Sequence, residues 1–148
     1  MPANDKEAHV PIWCTLKIGG AEAAGFFSEV TGFESDSDVT EKKRSLPNGR
    51  TDVIKAMGSA KWSDIELKRG VDQDKTLWNW RKLVIDGKLK DARKDCTVTM
   101  LDFEGQPVVT YSIINAWPKK YSGPGLTADA NEAAVESITL AHEGFDVQ

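Results

Sequence analysis

The sequence has few of the residues on which most catalytic and metal sites depend. Its 148 residues include two histidines and two cysteines. His9 and His142 lie near opposite ends of the chain, and Cys14 and Cys96 occur in alternating apolar segments, which predicts buried free thiols. No G-x-S-x-G, P-loop, H-E-x-x-H or C-x-x-C pattern is present. We therefore expect that the protein is not an enzyme and that it has neither a cofactor site nor a metal site.

Long apolar runs are also absent, so no segment is typical of a membrane-spanning helix. The polar start, MPANDKEAHV, lacks the apolar core of an export signal. Hydrophobic residues make up 40% of the chain and charged residues 28%, which is typical of a globular protein. We expect a single domain over residues 1–148, in a cytosolic protein that does not insert into a membrane by itself.

Charge is distributed unevenly along the chain. Residues 1–40 carry two Lys and seven Asp or Glu, and residues 95–148 carry two Lys and eight acids. Residues 41–94 carry fifteen Lys or Arg and eight acids, a net charge of +7 between two acidic ends. Such a pattern is compatible with nucleic-acid binding, with attraction between copies, or with a mixed solvated surface that has no partner. From charge alone the solvated surface is favoured.

Alternation of apolar and polar residues predicts about seven strands. In VPIWCTLKI, for example, Cys14, Leu16 and Ile18 share one face. The turn-rich segment 45–60, which contains Pro47 and Asn48-Gly49, is interpreted as a loop or a projecting arm. We expect a mainly β fold, a small antiparallel β-barrel or sandwich with one flanking α-helix. The strands are expected within residues 10–18, 26–43, 61–70, 95–103, 107–117 and 134–145.

One helix is predicted over residues 74–86, where Leu77, Trp80 and Val84 recur at helical spacing. Asp72 or Asp74 is the expected N-cap, and Gly87 suits the position after the last turn.

The tryptophans divide between core and surface. Trp80 faces the core by its spacing, whereas Trp78 and Trp62 tend outward. An exposed tryptophan calls either for a partner or for a neighbouring loop against which the ring lies flat, and both remain open.

Several stretches together resemble the tail-tube proteins of contractile phage tails. They are GFFSEVTGFESDSDVTEKK, LKRG at 67–70, LWNW at 77–80, and NAWPKKYSGPGLTADANEAAVESITLAHEGF at 115–145. The same family includes the inner tubes of extracellular contractile injection systems and is distantly related to the ring protein of type VI secretion. The resemblance extends from about Val10 to Phe145, and segment 45–60 is its least similar part.

The resemblance implies an assembly component. Tail-tube proteins form hexameric rings that stack into a hollow tube, which a contractile sheath drives through a target envelope. The implied partners are other copies of the chain, the sheath protein, baseplate and tail-terminator proteins, and a cargo of protein or phage DNA. Assembly in the bacterial cytoplasm into a virion or an injection particle is implied as well.

Within that picture, residues 34–57 are expected to project as an arm that contacts the adjacent ring. Trp62, Trp78 and Trp80 are expected in contacts between subunits or in packing of the helix. The residues expected to mediate stacking are Glu34, Asp36, Asp38, Lys42, Lys43, Arg44 and Arg50.

A conduit is expected to have a polar, mostly acidic wall without exposed tryptophan. The strand residues that could line it are Ser137, Thr139, Glu143, Thr97, Thr99, Asp36 and Asp38.

Three alternatives stay open. A tube-like baseplate adaptor of the same particle would share every feature above. A monomeric ligand-binding β-barrel with tryptophans at its mouth predicts a monomer with an apolar cavity. A nucleic-acid-binding module that uses Lys42, Lys43, Arg44 and the cluster at 88–94 predicts DNA binding that weakens strongly with salt.

Overall fold

The chain was analysed as a computed structural model that describes residues 13–23, 25–71, 73–124 and 134–148. These residues form ten strands and two helices. In chain order they are β1 (Trp13–Ile18), β2 (Ala21–Glu22), β3 (Glu29–Thr31), β4 (Ser35–Ser45), β5 (Thr51–Trp62), β6 (Ile65–Gly70), α1 (Thr76–Ile85), α2 (Leu89–Ala92), β7 (Lys94–Leu101), β8 (Pro107–Ser122), β9 (Val135–Ala141) and β10 (Gly144–Val147).

Most strands belong to one curved antiparallel sheet in the order β2-β1-β7-β8-β9-β6-β3. β8 is its longest member; its first half pairs with β7 and β10, and its second half with β9. The strand changes its pairing partners at Asn115, which has a positive φ of 48°. One isolated antiparallel bridge, Cys14–Phe27, links β1 to the segment just before β3, so the barrel is not continuously closed.

The core lies inside this sheet because its strands alternate as the sequence predicts. Cys14, Leu16 and Ile18 of β1 are buried, and Ile138 and Leu140 of β9 face them from the other side of the barrel. The helix covers the opening between them, so the prediction of a mainly β fold with one flanking helix is confirmed.

Helix α1 begins and ends close to the predicted bounds. Its N-cap is Lys75, but the Asp74 carboxylate accepts from the backbone N–H of Thr76 at 3.2 Å. Gly87, at φ +79°, donates its N–H to the Val84 carbonyl and ends the helix as predicted. Asp72 lies outside the described residues. The basic connector after α1 contains a second helix of one turn, α2, which the sequence did not predict.

Two segments form strands where the sequence predicted none. Segment 45–60 was interpreted as a loop or a projecting arm, and its residues from Thr51 on belong to β5, the partner of β4 in a two-stranded sheet. Residues 118–122 lie outside the expected strand ranges, but they continue β8 and pair with β9. In both segments neighbouring strands supply the backbone hydrogen bonds that local residue preferences do not predict.

One long hairpin has β3 and β4 on one side and β5 and β6 on the other. Its pairing is interrupted once, where the hairpin leaves the barrel, and we call this place the crossing point. β3 pairs with β6 within the barrel, and β4 pairs with β5 beyond it. Gly32 lies between the two parts at φ +102°, and a Cβ atom at this position would collide with the Asp64 carbonyl oxygen. The hairpin can leave the barrel at this point only because residue 32 has no side chain.

We predict that Gly32→Ala destabilises the subunit far more than Gly49→Ala does. Both glycines have positive φ, but a Cβ at Gly49 in the hairpin turn meets no atom within 4 Å. Gly49→Ala therefore costs only backbone strain of about 1–2 kcal/mol, whereas Gly32→Ala adds a backbone collision. Urea unfolding of both variants measures the difference, and equal midpoints would contradict the collision.

Candidate assembly surfaces

The outer part of the long hairpin, β4 and β5 with the turn between them, projects from the barrel; we call it the arm. Every residue of β4 is exposed, and so are nine of the twelve residues of β5. At about 3.3 Å per residue the eleven residues of β4 extend roughly 35 Å. An isolated two-stranded hairpin is marginally stable in water, so an arm of this length calls for a covering partner.

The register gives the arm two different faces. Val39 pairs with Met57 and Lys43 pairs with Val53, so these four residues share one face. The pair Glu41 and Lys55 lies between them on the same face. We call it the apolar face, because Val39, Val53 and Met57 are all exposed on it and Met57 is 88% exposed.

The opposite face carries Lys42, which pairs with Ile54, and Arg44, which pairs with Asp52. The three cations at 42–44 therefore do not form one cluster. Strand alternation separates Lys43 from Lys42 and Arg44.

The residues expected to mediate stacking all lie on the arm or at its base. Two of them are neutralised within the arm, since Asp38 lies 3.0 Å from Lys61 and Arg44 lies 2.7 Å from Asp52. Their places along the arm are Glu34 at the base, Asp36 and Asp38 in its first half, Lys42, Lys43 and Arg44 near its end, and Arg50 at the turn. Their part in stacking stays a prediction.

Aromatic rings brace the base of the arm against the barrel. Phe33 stacks on Tyr111 of β8 with ring centroids 3.9 Å apart, and Trp62 meets Phe145 of β10 edge to face at 5.0 Å. Trp62 is 37% exposed, so its ring is covered mainly by its own chain. The base is therefore held by packing as well as by strand pairing.

His142 adds two hydrogen bonds at the same place. Its Nδ1 accepts from the backbone N–H of Gly144 at 3.1 Å, so the ring proton resides on Nε2, which donates to the Ser63 carbonyl at 2.7 Å. The histidine therefore ties the end of β5 to β10, a structural role that the sequence did not reveal.

A charged network lies buried under the start of α1. Arg69 is 2% exposed and Glu136 is 5% exposed, and Arg69 Nε donates to Glu136 Oε1 at 2.6 Å. Arg69 also reaches Asp74 at 3.2 Å, and the Tyr121 hydroxyl donates to Glu136 Oε2 at 2.6 Å. The guanidinium lies 5.4 Å from the centroid of the Phe27 ring. The network joins β6, β8 and β9 to the residue that precedes the helix.

The network shifts the pKa values of two of its members, Asp74 and Tyr121. Desolvation raises the pKa of Asp74, but hydrogen bonds from Thr76 and Arg69 and the Arg69 charge outweigh it and hold that pKa below its ordinary value. The hydrogen bond to Glu136, with burial, raises the pKa of Tyr121 to about 12, so the hydroxyl stays a donor. An ionised Asp74 and a protonated Tyr121 keep the hydrogen bonds that attach the helix to the barrel.

The tryptophans of α1 have different surroundings. Trp80 is buried, and its indole N–H donates to the Ala92 carbonyl at 2.6 Å, which ties α1 to α2. Trp78 is 42% exposed and tilts against Tyr121 at 5.4 Å. Its outer surface remains available to a neighbour.

The outward face of the barrel is polar. Ser137 and Thr139 pair with Lys68 and Glu66, so this patch carries both signs of charge. Thr97 and Thr99 pair with Lys17 and Thr15 on the same kind of face. Of the other residues expected to line a conduit, Glu143 accepts from the side chain of Asn115, while Asp36 and Asp38 lie on the arm and not on the barrel.

Within the described ranges, no three His, Cys, Asp or Glu side chains gather in a way that would hold a metal ion. His9 lies outside these ranges. Cys14 and Cys96 are buried free thiols, as expected; burial raises the pKa of both, that of Cys96 to about 12. The helices that the structure describes are too short or too polar to span a bilayer.

Comparison with known proteins gives one family and a consistent set of folds. The family model of T4-like virus tail tube protein gp19 matches residues 12–146. No curated protein matches the chain. A chain of the PVC sheath–tube complex, an extracellular contractile injection system in the extended state, is similar with a TM-score of 0.79 at 22% identity, covering 97% of this chain and 93% of that one.

Two further structures share the fold. The tube-terminating cap of the anti-feeding prophage has a TM-score of 0.72 at 22% identity and covers 99% of this chain and 96% of its own. Hcp1 from Flavobacterium johnsoniae has a TM-score of 0.58 at 12% identity, with 91% and 94% covered.

We predict that Arg69→Met lowers the free energy of unfolding by about 3–5 kcal/mol, because it leaves Glu136 buried without a cation. Adding Glu136→Gln removes the buried charge and keeps an acceptor for the Tyr121 hydroxyl, so the double variant should regain much of the loss. Denaturant unfolding measures both variants. A double variant less stable than Arg69→Met alone would contradict this account of the network.

Proposed function

The chain belongs to the T4-like virus tail tube family, and from this premise we propose that its copies close into six-membered rings that stack through the arm. Members of this family are structural proteins of tail tubes, which is the function of this chain as well. The finer proposal covers how the rings form and stack, what surrounds them and what passes through them.

The observation that carries the stacking proposal is the arm. It is exposed along its whole length, and one of its faces presents Val39, Val53 and Met57 to solvent. Exposed apolar area of this kind gains roughly 25 cal/mol per Å² when a partner covers it. A second copy of the chain supplies that cover in every ring of a stack, because head-to-tail contacts join two different patches of identical subunits.

The tube is proposed to work inside a larger particle. The similar structures include a sheath–tube complex and a tube-terminating cap, and on that basis we propose a sheath, a baseplate and a terminator as partners. The particle would assemble in the bacterial cytoplasm.

The polar outward face of the barrel is the proposed wall of the conduit. Glu66 and Lys68 lie beside Ser137 and Thr139, so we propose a polar wall of mixed charge in place of a mostly acidic one. Neither Trp62 nor Trp78 belongs to that face. A wall without exposed tryptophan would let cargo, protein or DNA, pass without adhering.

Catalysis is not part of the proposal. His142 is engaged in bracing the arm, and both thiols are buried with raised pKa values. A structural role accounts for each of these residues.

Negative-stain microscopy of the purified protein, with size-exclusion chromatography, tests the assembly directly. Rings or tubes with sixfold symmetry are expected, and a monomer at high concentration, even with a native baseplate seed, would refute the proposal. A tube-like baseplate adaptor would instead form single rings that do not stack on themselves. A monomer that binds a small apolar ligand would favour the ligand-binding barrel.

For the arm we predict that Val53→Ser impairs stacking and that Ile54→Ser has little effect. The two residues are adjacent on β5, both are exposed and β-branched, and they lie on opposite faces. Losing a covered valine removes about 1 kcal/mol per contact, so tubes should require a several-fold higher protein concentration. Sedimentation of tubes over a range of protein concentrations measures the concentration that assembly requires.

Charge reversals of adjacent lysines on the two faces of the arm provide a matched pair of variants. Lys43→Glu alters the apolar face and Lys42→Glu the other, so only Lys43→Glu should reduce stacking. Equal losses from both faces would show that the arm is enclosed on both sides. Normal tubes from all four variants would place the stacking contact elsewhere.

For catalysis we predict that His9→Ala with His142→Ala leaves tube assembly and particle activity largely unchanged. His142→Ala removes two hydrogen bonds at the arm base, worth about 1 kcal/mol each, which lowers stability without removing a reacting group. Loss of particle activity from fully assembled tubes would reopen an enzymatic role.

A further inference from the structure

A second exposed feature lies outside the arm, at the turn between β7 and β8. Phe103 sits at its tip and is 81% exposed. The residues on either side are acidic, Asp102 and Glu104. A phenyl ring presented to water beside a carboxylate suits a pocket that is apolar inside and basic at its rim.

The turn is held in one conformation. The Asp102 carboxylate accepts from the backbone N–H groups of Glu104 at 2.9 Å and Gln106 at 2.8 Å, and the Asp102 N–H donates to the Gln106 carbonyl. Asp102 is therefore occupied with the turn, whereas the Glu104 side chain is exposed and forms no ion pair with the described residues. A turn fixed in this way loses little conformational freedom on binding.

A groove of matching character lies between α1 and the start of the sheet. Its volume is about 320 Å³, and its walls include Ile18, Ala21, Trp80 and Leu83. A dry cavity of about 150 Å³ holds benzene in another protein, so this groove has room for one phenyl ring. Lys94 and Asn79 stand at its polar side.

The rim of the groove is basic. Lys75 and Lys82 lie four residues before and three after Asn79, which places them beside it on the helix. Neither these lysines nor Lys94 forms an ion pair with a carboxylate of the described residues. Asp86 lies three residues after Leu83 and so on the same side of the helix. Against this one acid, the three lysines leave the rim with a net positive charge.

The tip and the groove cannot meet within one subunit. Lys94 begins β7 and Asp102 directly follows its end, so the strand separates these two residues by about 26 Å at 3.3 Å per residue. We propose that the Phe103 tip of one copy of this chain inserts into the α1 groove of the next copy, with Glu104 facing Lys94. The contact is head to tail, and it rests on the proposed function because it joins subunits of the tube.

A second copy is favoured over an unrelated partner by complementarity. The chain itself carries both halves of the contact, an apolar ring beside an acid and an apolar groove with cations at its rim. In an assembly of identical subunits, every tip then finds a groove except at the ends.

Cysteine cross-linking of assembled tubes tests the contact. Glu104→Cys with Asn79→Cys keeps the Phe103 ring and should give a ladder of disulfide-linked multimers under mild oxidation, because a disulfide requires Cα atoms within about 7 Å. The control is Glu104→Cys with Ile85→Cys, since Ile85 is exposed on the same helix but does not line the groove. Cys14 and Cys96 should not interfere, since both are buried and their pKa values are raised.

Each result decides something. A ladder from the first pair alone supports the contact. Intact tubes that give no ladder, or an equal ladder from the control pair, overturn the contact and leave the proposed function standing. A protein that stays monomeric overturns the contact and the proposed function together.

A charge exchange provides a second readout if the cysteine variants assemble poorly. Glu104→Lys and Lys94→Glu should each raise the concentration needed for assembly about threefold to fivefold, the effect of a surface ion pair. The double variant should return close to the starting value. Additive losses in the double variant would show that the two residues do not meet.

Discussion

The structure depends on the place where one antiparallel hairpin leaves the barrel and continues as the arm. At Gly32 the backbone passes so close to the Asp64 carbonyl that no side chain fits. Strand pairing continues on both sides of this point, from β3–β6 into β4–β5. A register shift lies between Ser37 and Val39, and beyond it the pairing of β4 with β5 determines which face of the arm carries Val53 and Lys43. The bracing rings around Phe145 then keep that face at a fixed orientation to the barrel.

The buried pair of Arg69 and Glu136 fixes the position of the helix on the barrel, as the crossing point at Gly32 fixes that of the arm. Buried ion pairs contribute little net stability, but they require one geometry, since an unpaired partner is costly. Arg69 reaches the residue before α1 and also the β9 strand through Glu136. The helix is thereby positioned against the sheet, and the groove between α1 and β1 keeps its shape. A subunit that assembles by many modest contacts needs surfaces that are preorganised in this way.

Much of the barrel was predictable from sequence because its strands are half buried. Cys14, Leu16 and Ile18 alternate with Thr15 and Lys17, and the helix over 74–86 was predicted to within two residues at its start and one at its end. β5 was missed because a strand exposed on both faces shows no alternation, and Gly58 interrupts it.

Buried charge was missed for a related reason. Strand alternation places Arg69 on the buried face of Ile65 and Leu67, and Glu136 on that of Ile138 and Leu140. A charged residue at such a position is expected in the core only when its partner is known, and here the partner lies 67 residues away in the sequence. The Phe103 tip was likewise interpreted only as part of a strand and its turn. Its meaning depends on a groove formed by segments that precede it and lie at the other end of β7.

The proposed contacts together give the assembly a direction. The arm and the tip each bind a surface different from themselves, so each added copy must take the orientation of the one before it. Two independent head-to-tail contacts also restrain the rotation that a single hinge would allow between neighbours. A tube that is driven from one end needs both properties, because a thrust applied at the base is transmitted only through contacts that are equivalent along the whole length. In the proposed assembly a braced arm and an aromatic tip held by its own turn would provide such contacts, and neither depends on a reacting group.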